Sequence, residues 1–328
     1  MDEGATLRAP APWTPNDPLG EALHLLRMRG AFYCRTEAFA PWGLHVPAIT
    51  DAVSLHVVTE GTCWLEVPGA DPTPLRPGDL ALVPHGRGHD LLSELGVGPT
   101  GRVDQVPQHY ISEHYSVLSY GGTGEVTRMI CCVVTFDDPA ARALVAALPP
   151  VIHVGTSTPT GPTSIHDATR LMAEELRDLQ PGGEAVTTRL ADILLVQAIR
   201  AWLANDPAAR TGWIGALQDE RIGRALAAIH RDPGRDWSLA RLADEATMSR
   251  SSFAARFAEM LGEPAMTYLT RWRMNLAYAR LQDGDDTVGR IAGELGYRSE
   301  AAFSRAFSRT FGHPPGSARR GKRVVVAS

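Results

Sequence analysis

The stretch Leu239 to Phe257, LARLADEATMSRSSFAARF, is written a second time from Val288 to Phe307 as VGRIAGELGYRSEAAFSRAF. Leu239, Leu242, Ala243 and Ala246 of the first copy answer to Val288, Ile291, Ala292 and Leu295 of the second, 49 residues on. After the turn, Ser249, Phe253 and Phe257 answer to Ser299, Phe303 and Phe307, 50 residues on. One unit was duplicated. Its apolar residues recur at i, i+3, i+4 and i+7, so each short helix has one stripe to bury. Ser249 and Ser299 are expected N-caps, each hydroxyl taking an amide that its helix leaves orphaned. Gly296 permits a tight turn between paired helices. Helix pairs that cross steeply in this way place the second helix in the major groove of DNA.

If Phe253 and Phe257 point inward, a helix turning about 100° per residue presents Ser251, Ala255 and Ala258 on its other side, with Ser252 beside them. In the second copy, inward Phe303 and Phe307 leave Ala301, Arg305 and Ser308 outward, flanked by Ser304. Arg305 is the candidate base reader, because a guanidinium can bond guanine O6 and N7 together. Its counterpart Ala255 suits van der Waals contact with thymine methyls. Arg250, Arg256, Arg298 and Arg309 flank the two faces as candidate phosphate contacts, which position a protein without reading sequence.

Between the copies, Pro264 to Leu281 reads as one helix, with proline in its first turn and Leu269, Trp272, Leu276 and Leu281 on a broad apolar face. The doubled unit, the bridge containing YLTRWRM (Tyr268 to Met274) and the ending GYRSEAAFSRAFSRTFGHPPG (Gly296 to Gly316) closely resemble the AraC/XylS family of bacterial transcription regulators. The resemblance covers roughly the last hundred residues. It implies a DNA-binding regulator with double-stranded operator DNA as partner, and RNA polymerase as a second partner if it activates.

The 328-residue chain carries 44% hydrophobic and 21% charged residues, an ordinary globular composition with length for two domains. Its net charge of −5 is unevenly spread: residues 1–215 hold 14 basic and 24 acidic side chains, residues 216–328 hold 18 and 13. Positive charge therefore lies with the duplicated unit, where phosphate contact needs it. No apolar run approaches the roughly 18 residues of a membrane span, and the proline-rich start lacks a signal-peptide core. A cytoplasmic protein without membrane contact is expected. Cys34, Cys63, Cys131 and Cys132 show no disulfide or CxxC spacing and are read as reduced thiols.

The fold class expected is α+β in two domains: an N-terminal β jelly roll with a helical extension, and a C-terminal all-α double helix-turn-helix domain. Residues 1–18 read as a disordered leader, 19–153 as the sensor domain and 154–215 as linker and helical segment. The DNA-binding domain is placed at 216–320, with a tail at 321–328. Leu19 to Met28 has helical spacing. Short β-rich runs at Ser54–Val58, Cys63–Val67, Asp79–Val83 and Ile130–Phe136 alternate with Gly and Pro turns. Such spacing argues for a sandwich or jelly roll. Gly78, Pro84, Gly86 and His89 fit G-x5-P-x-G-x2-H, and the region resembles the cupin-type sensor domains of some AraC-family regulators. His56 and Glu60 stand where the first cupin motif, H-x-H-x3-E, has its second His and its Glu, but Ser54 replaces the first His.

His56, Glu60 and His89 are thus the weak metal candidates, a two-His-one-carboxylate set. The resemblance instead implies a barrel that binds a small effector without metal or cofactor, with His56, Glu60, His89 and Trp64 as candidate pocket residues. A metal-dependent cupin enzyme joined to a DNA-binding domain is the rival, and oxidant sensing through Cys131 and Cys132 is another. No catalytic residue is assigned. Leu91 to Arg128 shows no periodicity and reads as a disordered insertion or a lid. Gly155–Thr163 and Asn205–Gly215 read as linkers by composition. Two helices, His166–Gln180 and Glu184–Ala204, lie between them. The second bears a stripe of Leu190, Ile193, Leu194, Gln197, Ala201 and Trp202, to be buried against its own barrel or a second chain. By resemblance it serves a homodimer.

Overall fold

The computed structural model describes residues 30–136, 139–155, 163–178, 180–210, 212–283 and 286–318. The expected leader 1–18, the helical reading of Leu19–Met28, the interior of the Gly155–Thr163 linker and the tail 321–328 lie outside the described residues. The chain divides into two units between Thr211 and Gly212.

The N-terminal unit is a sandwich of two sheets. Seven strands form the larger, in the order β12 (Ile152–Val154), β6 (Leu80–Val83), β3 (Ala52–Glu60), β11 (Val126–Thr135), β1 (Gly30–Phe39), β10 (Tyr115–Gly121) and β9 (His109–Tyr110). Five form the smaller: β5 (Thr73–Leu75), β4 (Cys63–Glu66), β7 (His89–Leu92), β2 (Gly43–Val46) and β8 (Gly101–Arg102). Trp42, Leu44, Leu65, Leu91 and Leu118 are among the side chains that fill the space between them. Every residue of β3 from Ala52 to Val58 is buried, because its sheet is covered on both faces. The outer cover is helical. Helix α1 (Pro139–Ala146) precedes β12, and α2 (Thr163–Arg177) packs on α3 (Gly183–Asn205). α3 lies along β12 and β6. Tyr33 of β1 donates to Thr188 Oγ1 of α3 at 2.9 Å, and Tyr115 of β10 donates to the Leu176 carbonyl of α2 at 2.5 Å.

One expectation changes here, and one left open is decided. The segment 91–128 is not a disordered insertion: β10 from within it pairs in parallel with β1 over seven residues and buries Tyr115, Ser116 and Leu118. Its signal was hidden because β10 needs a partner 82 residues earlier (Tyr33 against Tyr115), so nothing local marks it. The apolar stripe of α3 is buried in its own unit, through Leu190, Ala191, Leu194, Leu195, Ala198 and Trp202. Ile193, read into that stripe, instead stands outward at 45% exposure.

The C-terminal unit runs α4 (Gly212–Gln218), α5 (Glu220–Arg231), α6 (Leu239–Glu245), α7 (Arg250–Leu261), α8 (Ala265–Asp283), α9 (Val288–Glu294), α10 (Glu300–Phe311) and α11 (Pro315–Ala318). α4 begins inside the stretch read as linker, and Trp213 donates to the Tyr268 hydroxyl at 2.8 Å. α8 is buried on different sides along its length. Its first half gives Tyr268, Leu269 and Trp272 to the interior; its second gives Met274, Ala277 and Leu281 to a cluster with Ile291, Leu295, Phe303 and Phe307. Phe253, Phe257, Phe303 and Phe307 are fully buried, each worth about 1.5–3 kcal/mol of apolar burial.

Candidate nucleic-acid interface and ligand cavity

The two helix pairs, α6–α7 and α9–α10, are held by the same devices. Ser249 Oγ accepts the Ser252 amide and Ser299 Oγ accepts the Ala302 amide, both at 3.2 Å. The first helices are capped alike, Ser238 accepting from Arg241 and Thr287 from Arg290. Thr247 and Gly296 occupy the same place in the two turns, with φ of 52° and 79°. A Cβ on Gly296 would lie 2.4 Å from the carbonyl oxygen of Gly234, so backbone approach as well as φ demands glycine there.

With the phenylalanines inward, Arg250, Ser251, Ser252, Ala255 and Arg256 are exposed on α7. Ala301, Arg305 and Arg309 are exposed on α10, Ser304 is half-buried, and Arg298 is exposed in the second turn. Ala258 and Ser308 are half-buried, at the edges of their faces. Arg256 differs from the other arginines. Its guanidinium is held on Asp219 Oδ2 at 2.6 and 3.2 Å, and Asp219 is also the N-cap of α5, accepting the Arg221 and Ile222 amides. Burial works against the Asp219 carboxylate, but the Ile222 amide and Arg256 outweigh it and hold its pKa low. No ion pair or side-chain hydrogen bond ties Arg250, Arg298, Arg305 or Arg309 to a described residue. Asp219 was missed because the pair spans 37 residues and leaves no spacing to read.

Inside the sandwich lies a cavity of about 250 Å³. Phe32, Leu44, Val46, Leu118, Met129 and Val133 supply much of its wall. At one side, register aligns Cys34 of β1 with Cys131 of β11, and Cys131 with His56 of β3. His56 Nδ1 is 3.2 Å from Cys131 Sγ, and its Nε2 is 2.7 Å from Nε2 of His89 on the opposite sheet. Both ring nitrogens of His56 are satisfied when the thiol donates to His56 Nδ1 and His56 Nε2–H donates to His89 Nε2. Burial pushes the His56 pKa down to about 4 and, with His56 and His45 nearby, that of His89 well below its usual value. Burial, with Cys34 nearby, pushes the Cys131 thiol pKa well up.

The strap from β8 to β9 covers the mouth, contributing Val103, Asp104, Gln108 and Tyr110 to the lining. Gln108 fastens it, its amide donating to the Val103 carbonyl and its oxygen accepting from Ser116 Oγ at 2.6 Å. Cys34, Thr36 and Gln108 were missed by the sequence reading. The second cysteine of a facing pair was the available signal, and only register could match it to Cys131.

The metal set is not assembled. Met129 pairs with Val58 but Arg128 pairs with Glu60, so one residue of β3 is extra at that point, a β-bulge. Because side chains alternate with period two, one extra residue sends Glu60 to the other face from His56. There it is exposed and bonds Arg128, which also bonds Glu37 at 3.2 Å. Both ring nitrogens of His56 already have protein partners, so these residues do not fit a two-His-one-carboxylate centre. Trp64 also falls outside the cavity: β4 alternates, with Cys63 and Leu65 inward and Trp64 half-exposed on the opposite side. Cys131 and Cys132, being consecutive on a strand, face opposite ways, so they cannot act as one thiol pair.

The chain matches the family model described as Cupin over residues 17–204 and that described as Helix-turn-helix domain over residues 242–321. It is 36% identical over 306 residues to a putative AraC-like transcription regulator of Streptomyces lividans, covering 93% of this chain and 98% of that protein. A second putative AraC-like regulator, from Streptomyces antibioticus, is 33% identical over 307 residues, 93% of this chain and 98% of that protein. Among solved structures, the DNA-binding domain of AdpA in complex with a target DNA is similar at 28% identity, covering 32% of this chain and 98% of that one, with a TM-score of 0.31.

Proposed function

The chain belongs to the AraC-like transcription regulators with a cupin-type N-terminal domain, and we propose that it reads an operator through α7 and α10 while the barrel cavity binds a small effector that alters their placement. The observation that carries this reading is the pair of outward faces set by identical caps and phenylalanine pairs. Arg305 takes the base-reading role, Ala301 and Ser304 stand beside it, and Ser251, Ser252 and Ala255 read the first half-site by weaker contacts. Arg250, Arg298 and Arg309 contact phosphates, each adding about 0.9 to the slope of log affinity against log salt. Arg256 serves the first reader by bridging it to α5. Half-sites lie about one helical turn apart, because one chain carries both readers.

The regulator works in the cytoplasm as a homodimer. Leu171, Val186 and Ile193, all about half-exposed on α2 and α3, support that state. It meets RNA polymerase where it activates. No catalytic step is assigned, and the metal-enzyme rival loses its carboxylate at Glu60. The reading is tested by footprinting on the gene's own upstream region at fixed salt. Two protected half-sites are expected, with Arg305→Ala relaxing base preference in one. Uniform weakening by Arg305→Ala, with altered preference in Arg250→Ala, would reverse the assignments.

A further inference from the structure

The cavity in the barrel carries information about the chemistry of its ligand. Among the described residues its wall holds no Lys or Arg. The charged residue in the lining, Asp104, sits at the exposed rim and is already bonded by Arg102 at 2.8 and 3.0 Å. The inner polar groups are committed to one another: Cys131 to His56, His56 to His89, and Gln108 to Val103 and Ser116. Both histidines are held neutral by burial, so neither offers a cation. An ionised carboxylate or phosphate placed here would lose its hydration with no partner of opposite charge, and an ammonium would be no better served away from the rim.

From this pattern we infer that the ligand is an uncharged, predominantly apolar molecule on the order of ten non-hydrogen atoms, the size set by taking roughly 30 Å³ for a water-sized group. It carries at most one hydrogen-bonding group, which meets the Cys34 and Gln108 side of the wall. Cys34 is the least committed polar group there, its contacts to Thr36 Oγ1 and Gln108 Oε1 being long at 3.5 and 4.0 Å. This specificity rests on the reading of the barrel as the effector-binding domain.

Full-length protein titrated by calorimetry with 1-octanol, octanoate and octylammonium tests it, since the three probes match in length and differ in charge. At neutral pH, 1-octanol is expected to bind once per chain and at least about tenfold more tightly than either ion. Octanoate or octylammonium binding as tightly as the alcohol overturns the inference, and so does the lack of saturable binding by all three. In Gln108→Lys, which gives up the Ser116 contact and places an ammonium in the half-exposed lining, octanoate binding is expected to improve at least about tenfold. An unchanged order of affinities in that variant places the probes outside the cavity and also overturns it. Footprinting with saturating 1-octanol separates the two readings. Binding at one site per chain without a change in the footprint upholds the ligand class while removing the effector role.

Discussion

The two readers are copies of one pattern, yet they differ in their turns, in the charge they present and in what lies beneath them. The first turn tolerates Thr247 in a left-handed conformation because its hydroxyl donates to the Ala246 carbonyl at 2.7 Å and accepts from Arg224 at 3.2 Å. The second requires Gly296 because another backbone meets it there. The first outward face centres on Ala255, the second on Arg305. The first reader also has a half-buried histidine near its base: His230 stacks on Trp272 with centroids 4.1 Å apart and bonds the Tyr268 hydroxyl at 2.7 Å. A duplicated unit therefore keeps its caps and core while its turn and face diverge, since caps answer to local geometry and faces answer to a partner.

Acid should separate the copies most. Burial lowers the His230 pKa to about 3, so protonation is penalised in the folded state. A depressed histidine contributes stability fully present above its unfolded pKa of about 6.5 and lost as pH falls towards 3, on the order of 5 kcal/mol in all. Fluorescence of Trp213 and Trp272 during acid titration should report loss of the first reader's packing across that window, and His230→Phe should blunt it. An unchanged acid profile in that variant would break the contrast.

Next in size is the turn. Gly296→Ala should destabilise by about 2–4 kcal/mol, from left-handed strain and the clash with Gly234. Thr247→Gly should shift stability by no more than about 1 kcal/mol, because it trades strain against two hydrogen bonds. Comparable shifts in Tm for the two variants would mean that the turns are equivalent after all.

The outward faces should differ by about 1–3 kcal/mol of base discrimination, lost in Arg305→Ala and without counterpart in Ser251→Ala. Binding-site selection at fixed salt measures it directly. The smallest effect concerns the arginines of α7. Arg250→Ala should lower the salt slope by about one contact, whereas Arg256→Ala should leave it nearly unchanged, because Asp219 already holds that guanidinium. Equal slopes for the two variants would show that DNA draws Arg256 away from Asp219.

What was legible in the sequence was what a short stretch decides. Ser249, Ser299 and the four phenylalanines act within one turn or one helix face, so their spacing carries their role. The strands of the barrel were legible where alternation or β-rich composition marked them. The rest depends on register. Glu60 stands four residues after His56, correct for a shared face in a regular strand, and a bulge opposite Arg128 and Met129 reverses it. Cys34 meets Cys131 only because β1 pairs with β11, and Gln108 meets Ser116 because β9 folds back on β10. Arg256 looked free because Asp219 belongs to a helix outside the repeated unit.

The bridging helix α8 imposes a condition of phase. Each half is seated in a different core, so the second reader's bearing is tied to the first by the winding of 19 residues. One residue inserted near its middle would add about 1.5 Å of length, which DNA could absorb, but would turn everything beyond it by about 100°. Seven inserted residues, about two turns, would restore the bearing while moving the second reader by about 10 Å. Variation in operator spacing across such proteins is therefore expected to come in whole turns of the bridge, as teeth on a gear admit only certain engagements.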